Sequence, residues 1–191
     1  MTKVSDIHAI KIIFFITACY VGLWAIRIPT IKDQLQTDYV GVGYIMLSFA
    51  IGSIVAMIFA NALILKTSTK SILTFTLIAE GCLWLPVPFI QELWLFMVFS
   101  FIFGMSYGAF EIACNVYASN LEVREKKSMM SGFHAFWSLG VLFGSLITSF
   151  LLEWNYSFIF NILLYVIILL PLSLYFVPVS YTHLTLPTKV T

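Results

Sequence analysis

The stretch LWLFMVFSFIFGMSYGAFEIACNVYA, residues 93–118, contains a single charged side chain, Glu111. A helix of about 20 apolar residues crosses the roughly 30 Å of hydrocarbon in a bilayer, so this stretch is long enough to span a membrane. Five further stretches of the chain have the same apolar character. Because only helices and closed barrels satisfy their backbone inside lipid, the pattern predicts an all-α membrane protein with six transmembrane helices.

The composition excludes most soluble classes of protein. Hydrophobic residues make up 61% of the 191 residues, and charged residues make up 10%. A soluble domain of this size cannot hide so much apolar surface from water. The net charge of +1 gives no basis for a nucleic-acid partner. The cysteines lie far apart in apolar stretches, without metal-ligand spacing, so we expect no metal and no other cofactor.

The predicted spans fill most of residues 1–178, which we interpret as one six-helix transmembrane bundle. Their approximate bounds are 8–30, 40–65, 71–90, 93–118, 129–152 and 156–177. Proline lacks a backbone N–H and interrupts helices. Pro29 is therefore expected at the end of the first span, Pro86 and Pro88 near the end of the third, and Pro171 at a kink in the sixth.

The C-terminal stretch is expected to be foreign to the protein. Residues 179–188 read VSYTHLTLPT and resemble the translation of an adapter used in sequencing libraries. Residues 179–191 are then not native, and the preceding residues are a fragment of a longer protein. The alternative is a natural short polar tail.

Basic residues are distributed unevenly between the two sets of loops. The side of the N-terminus has seven of them, and the opposite side has two, Arg27 and Lys32. Cytoplasmic loops carry the excess of lysine and arginine in membrane proteins. We therefore expect a cytoplasmic N-terminus, with Trp24, Trp94 and Trp154 near the opposite interface.

Glu111 is the first candidate for function. An ionised acid inside a span costs about 2.5–3.5 kcal/mol on insertion scales, so such acids usually face the bundle interior. Asn115 follows one turn later on the same face, and Tyr107 lies close to that face. A carboxyl in this setting could take up and release a proton near neutral pH. The alternative is a static acid that is hydrogen-bonded to neighbouring helices.

Three further polar positions are weaker candidates. Glu80 lies near the middle of the third span, where it could pair with a basic residue of another helix or be protonated. Arg27 could snorkel to the interface, or point inward to bind an anionic or hydroxylated ligand with Trp24 as a stacking wall. His134 shares a helix face with Ser138, and could relay protons or bond a loop carbonyl.

Small residues four positions apart predict close helix packing. Gly104 and Gly108 form one such pair in the fourth span, and Gly140 and Gly144 form another in the fifth. This spacing allows two helix backbones to approach closely. We interpret both pairs as packing sites without chemistry.

The residues between Gly104 and Gly108 also match the pattern G-x-S-x-G. That pattern marks a nucleophile only on a strand–turn–helix elbow, whereas here it lies in a continuous helix. An intramembrane serine protease that uses Ser106 and His134 is an alternative reading. No oxyanion-binding cluster accompanies Ser106 in the sequence, and we do not expect an enzyme.

Three motifs carry a resemblance to a known family. WAIRIPTIK (residues 24–32), EIACN (111–115) and MSGFHAFWSLG (130–140) resemble segments of bacterial major facilitator superfamily transporters. The resemblance is to the N-terminal half of the branch related to fucose permease, and it covers residues 1 to about 178. It implies a fold of twelve helices in two six-helix bundles, with the substrate cavity between them and alternating access.

The resemblance also implies roles and partners. Glu111 would line the cavity and couple to protons, and Asn115 would line the same cavity. The expected partners are a small polar solute, with a sugar as one candidate, protons, the lipid bilayer and the missing C-terminal six-helix half. The expected location is the bacterial cytoplasmic membrane, as a multi-pass protein.

Two departures weaken the likeness to the sugar symporters. Ala25 occupies the position of their first-helix acid, and residues 61–70 lack the glycine, aspartate and arginines that are usual in the loop between helices 2 and 3. A half-size membrane protein that pairs with itself to rebuild a cavity is the remaining alternative.

Overall fold

The computed structural model describes residues 6–177, with the side chains of residues 60–66 excepted. It contains six long helices, namely α1 (Asp6–Gln34), α2 (Tyr39–Lys66), α3 (Thr69–Trp84), α4 (Leu93–Glu125), α5 (Met130–Glu153) and α6 (Phe158–Tyr175). Six segments are long and apolar enough to cross a membrane. The third of them consists of α3 and the short turn that follows it. No strand occurs in the described residues, so the predicted all-α class is confirmed. Residues 179–191, predicted to be foreign, lie outside the described part of the chain.

Pro29 does not end α1 as predicted, whereas α3 ends next to Pro86 as predicted. The helix α1 continues past Pro29 to Gln34, because a proline near a helix end removes one backbone hydrogen bond without ending the helix. By contrast, α3 stops just before Pro86, which opens a short 3₁₀ turn. The Gln34 side-chain amide donates to two carbonyls of this connection, Val87 O at 2.9 Å and Ile90 O at 2.6 Å.

Two parallel helix pairs, α1 with α5 and α2 with α4, make the most extensive contacts of the bundle. The predicted glycine pairs lie at both of these crossings. A Cβ at Gly104 or Gly108 would overlap backbone carbonyls of α2, and a Cβ at Gly140 or Gly144 would overlap carbonyls of α1. Their predicted role in close packing is confirmed, because only glycine leaves room for a carbonyl oxygen at these positions.

The two crossings also match each other in their glycine contacts. Gly22 of α1 faces the Val141 carbonyl of α5, as Gly104 of α4 faces the Phe49 carbonyl of α2. In the same way, Gly144 of α5 faces a carbonyl of α1, and Gly52 of α2 faces a carbonyl of α4. The crossing of α1 with α5 and the crossing of α4 with α2 thus follow the same pattern of contacts, a correspondence that is not evident in the amino-acid residues themselves.

A buried tyrosine, Tyr165, attaches helix α6 to α5 and α1. The Tyr165 hydroxyl donates to the Gly144 carbonyl at 2.6 Å and lies 3.0 Å from the Thr148 hydroxyl. The Tyr20 hydroxyl of α1 in turn donates to the Tyr165 carbonyl at 3.4 Å. One residue therefore joins α6 to both α5 and α1.

We expect Tyr165→Phe to lower the free energy of unfolding by about 1–3 kcal/mol, because the buried Thr148 hydroxyl loses its partner. Reversible denaturation of the protein in detergent, followed by circular dichroism, measures this loss. Tyr175→Phe in the exposed part of the same helix is the matched control, and equal losses in the two variants would contradict the prediction.

Candidate functional site

Three polar side chains lie half-buried along α4, one turn apart. They are Tyr107, Glu111 and Asn115. The Asn115 amide donates to the backbone carbonyl of Glu111 at 2.9 Å, which places the two residues on one face, as predicted. The amide therefore bonds the helix itself, and the Glu111 carboxyl remains available to other groups.

Tyr107 lies where the two tight helix pairs meet. Its ring centroid is 5.5 Å from that of Phe49 in α2, and its hydroxyl has the Trp137 indole of α5 as a hydrogen-bond partner. Trp137 was missed from the sequence, although it lies inside the motif at residues 130–140, because its position along α5 does not show which residue of α4 it meets.

Glu80 lies in the bundle interior, with only 4% of its surface exposed. None of the ion pairs among the described residues includes it, so the basic partner considered from the sequence is not found there. Thr76, one turn before, donates its hydroxyl to its own helix at Ile72 O, 2.8 Å away. The buried indole N–H of Trp84, one turn after, has no hydrogen-bond partner in the described part of the chain. Glu80 thus lies in a sparsely paired polar region between α3 and α4.

Arg27 is directed toward α6 rather than toward the interface or a ligand. It is only 2% exposed, and its Nε donates to Asn161 Oδ1 at 3.0 Å. A second guanidinium nitrogen donates to the Tyr156 carbonyl at 3.3 Å, and the Phe158 ring lies beneath at 5.3 Å. Every one of these partners is neutral, and together they tie α1 to α6.

Trp24 does not form the expected wall beside Arg27. Its ring instead packs in the core, 6.2 Å from Trp84 and 6.3 Å from Phe96 between ring centroids. The two side chains thus have different partners in this structure. Residues three positions apart on a helix can diverge when the neighbouring helices offer different partners, and here α6 draws one side chain while α3 and α4 draw the other.

His134 and Ser138 are exposed on α5. The Ser138 hydroxyl donates to the His134 carbonyl at 3.1 Å, and the imidazole meets the Phe14 ring of α1 edge-on at 5.5 Å. Nearby, the Lys11 ammonium of α1 lies 5.2 Å from the Phe136 ring centroid. This end of the α1–α5 pair therefore presents polar groups at its surface.

The structure gives no support to a serine nucleophile. Ser106 lies within the uninterrupted helix α4, and its buried hydroxyl has no hydrogen-bond partner among the described residues. A serine needs a base within hydrogen-bond reach to become a nucleophile.

Among the side chains of residues 6–59 and 67–177, no group of three or more His, Cys, Asp or Glu residues that could hold a metal ion is found.

Comparison with known proteins points to one family. The family model described as Major Facilitator Superfamily matches residues 12–190. An uncharacterised MFS-type transporter of Yersinia pestis is 27% identical over 143 residues, which are 74% of this chain and 37% of that protein. An uncharacterised transporter of Sinorhizobium fredii is 25% identical over 141 residues, which are 69% of this chain and 35% of that protein. The chain spans little more than a third of the length of these relatives, and no solved structure matches significantly.

Proposed function

Because the chain belongs to the Major Facilitator Superfamily, we propose that its helices form the N-terminal half of a secondary active transporter for a small polar solute. The observation that carries this proposal is the half-buried carboxyl of Glu111, with Tyr107 and Asn115 on the same side of α4. Ionisable side chains within membrane spans are costly, usually face the bundle interior or a water-filled cavity, and often mark the path of a substrate or ion. We infer that the solute passes beside this face of α4.

The exposed polar groups of α5 extend the same path. His134 and Ser138 lie on the helix that reaches Tyr107 through Trp137. Their donors and acceptors suit a hydroxylated solute such as a sugar. Arg27 and Trp24 hold the helices behind this path in position, since Arg27 contacts α6 and Trp24 packs against the core.

The rest of the path is supplied by a second six-helix bundle. Among the six segments, α2 and α5 have the smallest buried share, at 22% and 17%, and both carry rows of uncovered apolar side chains. Apolar patches of this extent mark surfaces that lipid or another protein covers. We infer that α2 and α5 contact the missing half. Reading the gene past codon 178 in an independent clone tests whether that half exists, with six further spans as the expected result.

We also infer that the N-terminus lies in the cytoplasm of a bacterium, because the loops on its side of the membrane carry most of the basic residues.

We expect Glu111→Gln in the uninterrupted protein to lower pH-dependent uptake at least tenfold, while insertion into the membrane is unchanged. Glutamine retains the size and hydrogen bonding of the acid but cannot carry a proton. Uptake into proteoliposomes, measured for a panel of polar solutes with and without an imposed pH gradient, gives the result.

Glu92→Gln is the matched control, because Glu92 is exposed just before α4 begins and lies outside the proposed path. It should transport as the wild type does. Unchanged pH-dependent uptake in Glu111→Gln would refute the role of this carboxyl.

A further inference from the structure

Aromatic side chains continue the polar side of α4 away from Glu111. Phe99 and Phe103 precede Tyr107 at intervals of four residues, and Glu111 follows Tyr107 at the same interval. Residues four positions apart are neighbours on the surface of a helix, and all four of these residues are half-buried. The carboxyl therefore lies at one end of a series of rings that are neither fully enclosed nor fully exposed.

Phe49 of α2 joins these rings from the neighbouring helix. Its ring centroid lies 5.5 Å from that of Tyr107 and 5.9 Å from that of Phe103. The rings of Phe99 and Phe103 are stacked, with centroids 6.4 Å apart, and Phe49 is half-buried like the others. The four rings are thus in contact with one another, and we call them the aromatic group.

The charge of Glu111 is not neutralised by a basic side chain in the described part of the chain. None of the ion pairs found there includes Glu111. Arg27 is 2% exposed and donates to neutral acceptors at the start of α6. The Lys11 ammonium lies over the Phe136 ring, 5.2 Å from its centroid. A solute that meets this side of α4 therefore meets an uncompensated carboxyl.

A carboxylate next to the faces of aromatic rings favours a positively charged solute. The face of a ring attracts a cation through its quadrupole, and a carboxylate attracts it through its charge. Both repel an anion. The four-residue step from Tyr107 to Glu111 is a rise of about 6 Å along the helix, so an ammonium group with its substituents can contact the ring and the carboxylate together.

We propose that the transported solute is an organic cation, whose ammonium group binds between the Glu111 carboxylate and the Tyr107 ring while its apolar part lies along the rest of the aromatic group. The proposal rests on the proposed function in taking this side of α4 as part of the solute path. It adds the sign of the solute's charge, which the polar groups of α5 do not indicate. Hydroxyls on such a cation can bond to those groups.

Equilibrium binding to the uninterrupted protein in a neutral detergent at neutral pH tests the proposal with matched probes. Choline is compared with its uncharged analogue dimethylbutanol, in which carbon replaces nitrogen, and benzylammonium is compared with benzyl alcohol. We expect the cation to bind at least about tenfold more tightly than its uncharged analogue. A preference for the cation in at least one pair supports the proposal, and equal affinity or no binding in both pairs overturns it.

Variants test the carboxylate and the ring separately. We expect Glu111→Gln to weaken binding of the preferred cation at least about tenfold, because a half-buried charge pair is lost. Tyr107→Leu should weaken it by about threefold to thirtyfold, the range of one cation–π contact, whereas Tyr107→Phe retains the ring and should bind as the wild type does. Tyr44→Leu, at an exposed tyrosine of α2 outside the aromatic group, is the control and should also bind as the wild type does.

The results distinguish this proposal from the transport proposal. Equal cation affinities in Tyr107→Leu and Tyr107→Phe, or wild-type affinity in Glu111→Gln, would overturn the cation site. If Tyr107→Leu does not fold, the affinity of Glu111→Gln decides alone. Failure of the transport proposal is seen separately, as unchanged uptake by Glu111→Gln. If that variant loses uptake while neither cation is preferred over its analogue, Glu111 lies on the solute path and only the charge assigned to the solute is wrong.

Discussion

Replacing Gly144 by alanine is expected to destabilise the bundle by about 1–3 kcal/mol, the usual cost of overpacking a well-packed site. The added Cβ would lie within 3.0 Å of three backbone atoms of Cys19 in α1. Backbone of a neighbouring helix cannot rotate away as a side chain can, so the whole α1–α5 pair has to separate. Reversible denaturation in detergent, followed by circular dichroism, gives the free energy of unfolding.

The control for this prediction lies on the same helix. A Cβ at Gly132 meets no heavy atom within 4 Å, and alanine is a better helix former than glycine by about 1 kcal/mol. Gly132→Ala is therefore expected not to destabilise the protein, in contrast to Gly144→Ala. If the two variants shift stability in the same direction, close backbone packing is not what Gly144 provides.

Removing the charge of Arg27 is expected to have a comparable effect. Arg27→Met retains much of the length and packing of the side chain but leaves the Oδ1 atom of Asn161, a residue with no exposed surface, without its donor. The amide nitrogen of Asn161 already has no partner among the described residues. We expect a loss of about 3 kcal/mol, since a hydrogen bond to a charged group contributes about 1.5–3 kcal/mol and an orphaned buried amide adds its desolvation cost. The same denaturation measurement in detergent gives this loss.

A second variant separates the value of the pair from the cost of breaking it. Arg27→Met combined with Asn161→Leu removes both polar partners, and an apolar replacement of a buried polar pair is often close to neutral. We expect the double variant to lie within about 1 kcal/mol of the wild type. A double variant as unstable as Arg27→Met would show that the loss comes from the other contacts of Arg27, with the Tyr156 carbonyl and the Phe158 ring, or from changed packing against α6.

The α4 site illustrates how far sequence patterns reach. The four-residue spacing of Glu111 and Asn115 is enough to predict a shared helix face, and the two side chains do share one in the folded protein. The same reasoning could not find Trp137, because the distance between α4 and α5 at Tyr107 depends on how two separate helix pairs meet. It also could not assign partners to Arg27 and Trp24, since one helix with several neighbours can direct nearby side chains to different partners.

The amino-acid sequence by itself determined that this chain is a bundle of six membrane-spanning helices, because length and apolarity of each segment are local properties that lipid selects. It also placed the glycine pairs that pack closely, because a spacing of four residues is a property of one helix. Only the tertiary structure decided which helices those glycines join, that the two close crossings match each other, and that Tyr107 lies where the two helix pairs meet. Those are relations between segments distant in the chain, and they arise from packing three-dimensional surfaces against one another, which no single segment encodes.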